Sequence, residues 1–427
     1  MRGRLQRLAN DPLVVNPWLI LLTMVLSSGF GALFWLSAAR LQSAADVGIA
    51  GSLVATGDAL AVFGQLGMNV VLTRVLPLSD RKAADLVSGC AVVVVGSAVF
   101  AAAYVLLLPM VSPDLAEVLT LPWALVFIVL VAATGLNHLT DALFLAIDRV
   151  RVNLVINGVM LGIIKVALPF VLVGAGALGL FSAFGISGAV AAVVSVWAIL
   201  RAVPGRALRR PSRELLGSKR FTGAGYLTSV LYLVPQLVFP LVVINALGPA
   251  ANGRYFVAFQ IATLLNAVVY AVCNSMYAEA SRHPHRVHAI VRRSGQLLAG
   301  ATLVGALGLA VVAPLVLRVF GPEYAAAGSA ALRVLALGSL GVALNFWAAM
   351  RLRLAGHHTA MITVQLLTTV LMLGMALLLV HRGIEWVGIA WGVGQLVGGI
   401  VGYVVSRTIA PMVDTQPRDT APHEVTA

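Results

Sequence analysis

Charge is what this sequence has least of: only 11% of its 427 residues are Asp, Glu, Lys or Arg, against the ~25% of an ordinary soluble domain. So few charges cannot cover a water-facing surface, which excludes a soluble globular protein of this length. Cysteine is nearly absent. Cys90 and Cys273 both fall inside apolar runs, where they read as small hydrophobes, so a disulfide framework or thiolate metal site is excluded. No G-x-x-x-x-G-K-[ST], H-E-x-x-H or G-x-S-x-G sequence occurs, which excludes a built-in P-loop ATPase and the enzymes those motifs mark. Acidic residues are not paired in the D-x-D manner of a sugar-nucleotide enzyme. His283, His285 and His288 cluster, but among arginines whose charge opposes a metal cation, so they read as a solvated loop. Neither metal nor cofactor is expected, and the chain reads as no enzyme.

What is present is hydrocarbon. The sequence is 60% apolar, and runs of about twenty apolar residues recur along it, each long enough to span ~30 Å of hydrocarbon. The pattern predicts helices over 14–39, 48–75, 86–111, 121–146, 152–174, 178–203, 222–246, 254–278, 294–318, 326–350, 359–381 and 386–406. Arg2, Arg4 and Arg7 precede a first run too long for a signal-peptide core, so it reads as a retained helix. The expected fold class is an all-α membrane protein of about 12 transmembrane helices in two six-helix bundles.

A net charge of +13 would suit nucleic acid, but the basic residues sit in short segments between apolar runs, so no nucleic-acid partner is expected. Counted over alternate loops with the N-terminus inside, 23 Lys and Arg fall on the inner side and four on the outer. This bias places both termini in the cytoplasm of a bacterial-type plasma membrane. No outer loop exceeds about a dozen residues, leaving no room for an external domain. The most basic inner segment lies mid-chain, giving an expected division into a first bundle (1–203), a basic cytoplasmic linker (204–221), a second bundle (222–408) and a disordered tail (409–427). A helical extension is the other reading of the linker.

The halves resemble each other at an offset near 205: Ala45-Asp46-Val47-Gly48 opens the second helix and Ala250-Ala251-Asn252-Gly253 the eighth. Six spans per half is even, so the repeats are related by a pseudo-two-fold axis along the membrane normal, enclosing a central cleft suited to alternating access. Charged and polar residues inside the bilayer are costly, ~2.5–3.5 kcal/mol for a charge, and each is a candidate for function. Asp58, Gln65, Asn69 and Thr73 are spaced for one face of the second helix. Their repeat partners include Thr263, Tyr270 and Asn274, with Gln260 on the same face. These are candidate cleft-lining residues. The alternative is that they join helices by hydrogen bonds. His138 and Asp141 are candidates for proton coupling, with i,i+3 and i,i+4 spacings that let Asp141 meet His138 or Asn137. Arg40, Lys165, Arg254 and Arg333 are candidates for binding an anionic headgroup, Lys165 or Arg333 also being available to pair with Asp58 or Asp141; snorkelling is the plain alternative. Pro235 and Pro240 predict a bend in the seventh helix.

The run Asp46-Val47-Gly48, through Phe63-Gly64-Gln65-Leu66-Gly67-Met68, to Thr73-Arg74-Val75-Leu76-Pro77 resembles a signature of polysaccharide-biosynthesis flippases. These belong to the multidrug/oligosaccharidyl-lipid/polysaccharide exporter superfamily. Leu247-Gly248-Pro249-Ala250-Ala251-Asn252-Gly253 and Phe320-Gly321-Pro322-Glu323-Tyr324 resemble the family's corresponding turns in the second half. The resemblance implies a MATE-like V of two bundles. Its cargo would be a polyprenyl-diphosphate-linked oligosaccharide flipped to the outer leaflet, and a drug or metabolite exporter of the same superfamily is the alternative. Implied partners are the lipid-linked glycan, membrane lipids and glycan-assembly enzymes.

Overall fold

A backbone immersed in hydrocarbon must satisfy its own hydrogen bonds, and the apolar runs do so as helices. The computed structural model describes residues 12–203, 212, 215 and 223–408, and no strand occurs among them. Twelve helices among the described residues are long and apolar enough to cross a membrane. They are α1 (Pro12–Leu41), α2 (Ala44–Gly64), α3 (Lys82–Val111), α4 (Leu121–Ala146), α5 (Val150–Val171), α6 (Gly176–Ala202), α7 (Gly223–Leu247), α8 (Pro249–Arg282), α9 (Val287–Phe320), α10 (Pro322–Leu354), α11 (His358–Leu379) and α12 (Ile384–Thr408). Leu106, Met110, Val311 and Leu378 stand 77–85% exposed on their outer faces, a surface that lipid covers and water does not.

The helices form two six-helix bundles with the same internal plan. In the first, α4 packs on α2, α3 and α6, and α1 packs on α5. In the second, α10 packs on α8, α9 and α12, and α7 on α11. The pseudo-two-fold axis passes where α2 meets α8. A Cβ on Gly48 would lie 2.0 Å from the Pro249 carbonyl oxygen, and one on Gly253 would lie 2.0 Å from that of Ala44. Both pairs are related by the 205-residue offset, so one contact is made twice about the axis.

Hydrogen bonds between the bundles gather around this contact, at the end opposite the start of α1 and the end of α12. Asn252, fully buried, donates through Nδ2 to the Gly48 carbonyl (2.7 Å) and to Ser52 Oγ (2.8 Å). Arg40 Nε donates to the Val319 carbonyl (2.8 Å), and Ser112 Oγ donates to Asn245 Oδ1 (2.6 Å). Nearer the other end, Tyr226 OH donates to the Phe63 carbonyl (2.6 Å). Buried interhelical hydrogen bonds in membranes are worth up to ~1.7 kcal/mol. Asn252→Leu is therefore expected to raise the population opened at the α2–α8 end by about tenfold. Distances between spin labels at the Ala44 end of α2 and the Pro249 end of α8 measure this, and an unchanged distribution would remove Asn252 from the closure.

The structure departs from the sequence expectation in several places. The expected second helix, 48–75, is two: α2 ends at Gly64, Leu66 (φ 48°) and Gly67 (φ 76°) turn the chain through left-handed backbone, and a short helix (Met68–Val75) follows. Glycine tolerates that conformation and leucine does so at a cost, and hydropathy alone carries no trace of it. A short helix at Pro113–Val118 precedes α4, and α7 is assigned as one helix through Pro235 and Pro240. Of the basic linker, Ser212 donates its N–H to Asp85 Oδ1 (2.6 Å), whose other oxygen accepts from Ser79 Oγ (2.5 Å). Leu215 is buried with α3, α4 and α6 side chains. The remainder of 204–221, the tail 409–427 and Arg2, Arg4 and Arg7 lie outside the described residues.

Candidate functional site: an interbundle cavity backed by a polar knot

α8 packs closely on α2 and only lightly on α1. A cavity of about 240 Å³ lies between α1, α5 and α6 of the first bundle and α8 and α9 of the second. Trp35, Phe184 and Phe320 form much of its apolar wall, and Gln260 and Thr263, three residues apart on α8, supply polar groups from the second bundle. Lys165 of α5 is the single charged side chain among the described lining residues. Its Nζ lies 3.8 Å from the centre of the Phe184 ring, a cation–π contact that fixes the ammonium at the cavity wall.

Behind Lys165 the first bundle holds a set of ionisable and amide groups. His138 Nε2 lies 3.6 Å from Asp58 Oδ1, joining α4 to α2. Lys165 is within electrostatic reach of Asp58 and His138, and Asp141 of His138. Asn157 ties the lower part together. Its Oδ1 accepts from Asn137 Nδ2 (3.0 Å), and its Nδ2 lies at donor distance from Asp141 Oδ1 (3.0 Å), Thr140 Oγ1 (3.1 Å) and Asn153 Oδ1 (2.7 Å). Asn157 sits in a seven-residue π-helical stretch of α5, Leu154–Met160. Each residue added to a turn rotates everything beyond it by ~100°, so the π stretch helps set the direction in which Lys165 projects.

The candidates divide accordingly. Lys165, Gln260 and Thr263 meet at the cavity, and Asp58, His138 and Asp141 stand in the first bundle beside it. The expected His138–Asp141 or Asn137–Asp141 contact along α4 is replaced: His138 turns to Asp58 on α2, and Asp141 accepts from Asn157 on α5. Interhelical partners win because they satisfy groups that no single helix can. The single polar face of the second helix does not form. Gln65, 5% exposed, is buried at the break after Gly64, while Asn69 and Thr73 line a separate pocket with Arg74 and Ala142. Tyr270 packs its ring against Phe346 (4.7 Å) and Asn274 is exposed further along α8; neither lines the cavity.

The four headgroup candidates do not converge. Arg40 is bonded to the Val319 carbonyl, and Arg254 lies 4.0 Å from Glu323 across the Gly321 turn. Arg333, exposed on α10, lies 3.3 Å from the Ala310 carbonyl. Only Lys165 faces the cavity. Asp46, part of the flippase-like signature, serves the fold: it accepts the Ala177 N–H at the start of α6 (3.2 Å) and the Ser43 hydroxyl (2.6 Å). Asn153 and Asn157 escaped sequence reasoning. Their signal was two amides four residues apart in an otherwise apolar run.

No family model matches the chain, and no curated protein matches it significantly. Solved structures match along nearly its whole length. An inward-facing multidrug resistance MATE family transporter of the MOP superfamily superposes with a TM-score of 0.72 at 17% identity, over 90% of this chain and 94% of that one. An outward-facing multidrug resistance MATE family transporter gives 0.60 at 16% identity, over 95% and 97%. A MOP superfamily transporter from Pyrococcus furiosus, described as having a binding pocket of reverse polarity that suggests a different function, gives 0.62 at 16% identity, over 96% and 98%. With its twelve apolar helices in two like bundles, this chain has the fold of the MATE transporters of the MOP superfamily.

Proposed function

We propose that the chain is a membrane transporter that moves an amphiphile with an anionic headgroup between leaflets by alternating access of the interbundle cavity. The cargo class is a polyprenyl-diphosphate-linked oligosaccharide, passed from the cytoplasmic to the outer leaflet of a plasma membrane, with both termini in the cytoplasm. The observation that carries this reading is Lys165, a cation lining the cavity with no carboxylate among the described lining residues. An ammonium held on an aromatic face in an apolar cavity attracts phosphate oxygens more strongly than it would in water. Opposite it, Gln260 and Thr263 offer amide and hydroxyl groups suited to diphosphate or sugar oxygens. Asp58 and His138, behind Lys165, are placed to exchange a proton as the cation gains or loses an anionic partner, and Asn157 links Asp141 to the same bundle of helices. Membrane lipids and glycan-assembly enzymes are the partners this reading implies.

A second reading, export of a cationic drug or metabolite, draws support from the multidrug resistance transporters among the structural relatives and from the carboxylates Asp58 and Asp141. Transport in proteoliposomes separates the two. Lys165→Gln is expected to slow flipping of a polyprenyl-phosphate analogue about fivefold or more, with Lys165→Arg retaining most of the rate and a neutral amphiphile unaffected. Undiminished flipping of the anion in Lys165→Gln would remove Lys165 from the site; no flipping of the anion by the unmutated protein, together with cationic dye export that Asp58→Asn abolishes, would favour the exporter and overturn the flippase.

A further inference from the structure

The second bundle carries a groove that the transport reading leaves unused. It runs along α10 between α9 and α12 and encloses about 1490 Å³. α10 shows α8 one face, on which Phe346 meets Tyr270 (4.7 Å) and Arg353 lies over Tyr277 (4.5 Å). Trp347 and Arg351 point elsewhere, toward α9 and α12: Trp347 Nε1 lies 3.3 Å from the Val291 carbonyl, and Arg351 Nε lies 3.1 Å from Ser406 Oγ. The groove therefore lies on the side of α10 turned away from α8.

Its chemistry is divided along its length. Toward the start of α9 and the ends of α10 and α12 it is lined by Arg292, Arg293, Arg351 and Arg407, with no carboxylate among the described lining residues. Further into the span it is lined by Leu298, Leu303, Leu340 and Leu344. Between these zones Trp347 and Tyr403 stack at 5.8 Å and 25°, with the Arg351 guanidinium 4.9 Å from the Trp347 ring and 5.5 Å from that of Tyr403. Arg407 also lies against Tyr403, its Nη1 3.4 Å from the phenol oxygen. Four like charges gathered at one end of the groove repel one another unless an anion lies between them. Guanidinium groups fork onto phosphate oxygens, and aromatic rings settle at headgroup depth. The volume exceeds the ~300–1000 Å³ of sites for drug-sized ligands, which suits a molecule with a long chain.

We infer that this groove binds an anionic phospholipid of the surrounding membrane, its phosphate among the four arginines and an acyl chain along Leu340 and Leu344. The rival occupant is the chain beyond Thr408, which starts next to Arg407 and contains Asp414, Asp419 and Glu424. It also carries Arg418 and offers no long apolar stretch for the leucine-lined zone, so it complements one end of the groove only.

The test is quenching of Trp347 fluorescence in the full-length protein. Protein is reconstituted in phosphatidylcholine vesicles containing a minor fraction of either phosphatidylglycerol or phosphatidylcholine brominated on its acyl chains. The Trp347 signal is taken as the difference from Trp347→Phe. Brominated phosphatidylglycerol is expected to quench with an apparent affinity at least fivefold higher, and Arg351→Gln with Arg407→Gln to erase that preference. On the unmutated protein, unbrominated phosphatidylglycerol should restore fluorescence and unbrominated phosphatidylcholine should not, a readout independent of how the variants fold. Equal quenching by the two lipids, or a preference that survives the double substitution, overturns the proposal. So does quenching that emerges only after truncation at Thr408, which would give the groove to the chain's own terminal segment. Transport activity enters none of these measurements, so their outcome is separate from that of the flippase reading.

Discussion

Gly48→Ala is expected to destabilise the protein by about 2–3 kcal/mol, and Gly253→Ala by a similar amount. A methyl on Gly48 would lie 2.0 Å from the Pro249 carbonyl oxygen, where ordinary contact begins near 3.4 Å. The obstacle is backbone within a helix, so no rotamer change relieves it. α2 and α8 must part by more than 1 Å, the difference between those two distances, and Asn252 then loses its bonds to Gly48 and Ser52. Because Gly48 and Gly253 guard one contact from opposite sides of the axis, the double substitution should cost much less than the sum of the two singles. Thermal unfolding of the purified variants in detergent gives the comparison. Additive losses would mean that the two glycines act at independent places, contrary to the symmetric contact.

The second large effect is expected at Asn157. Asn157→Leu removes partners from Asn137, Thr140, Asp141 and Asn153 together. Three of these contacts, to Asn137, Thr140 and Asp141, are interhelical, and at ~0.6–1.7 kcal/mol for each such contact in a membrane the loss should total about 2–5 kcal/mol. Part is the cost of leaving the buried Asn137 without its amide partner inside the bundle. A structural knot and a part of the transport machinery predict different accompaniments. If the knot also holds the π stretch that orients Lys165, Asn157→Leu should weaken anion transport beyond its effect on stability, and Asn157→Gln should recover part of both. Stability lost with anion transport per folded molecule unchanged would separate the knot from Lys165.

Much of the architecture was legible because the bilayer allows so few solutions. Runs of about twenty apolar residues have to be helices, and their number, the repeat offset and the even count per half lead to two like bundles about a normal axis. The twelve spans and the matching packing plans of α4 and α10 agree with that expectation. The site was legible only as a set of costly residues. Lys165, Gln260 and Thr263 share a cavity, but Arg40 and Arg254, expected at helix ends beside the cleft, and Arg333, expected within a span, are held elsewhere by the fold. The polar stripe Asp58–Gln65–Asn69–Thr73 failed because helical spacing assumes a continuous helix, and Leu66 and Gly67 break it.

The sequence by itself determined that this chain lives in lipid, how many times it can cross, and that its halves repeat, since hydropathy and length act locally along the chain. Only the tertiary structure decided which polar groups meet. His138 finds Asp58 instead of Asp141, Asn157 gathers partners from α4 and α5, and Gly48 meets Pro249 two hundred residues away. A polar group buried in hydrocarbon takes whichever partner the packing brings within hydrogen-bond reach, and packing is a property of helices against one another that no single span records.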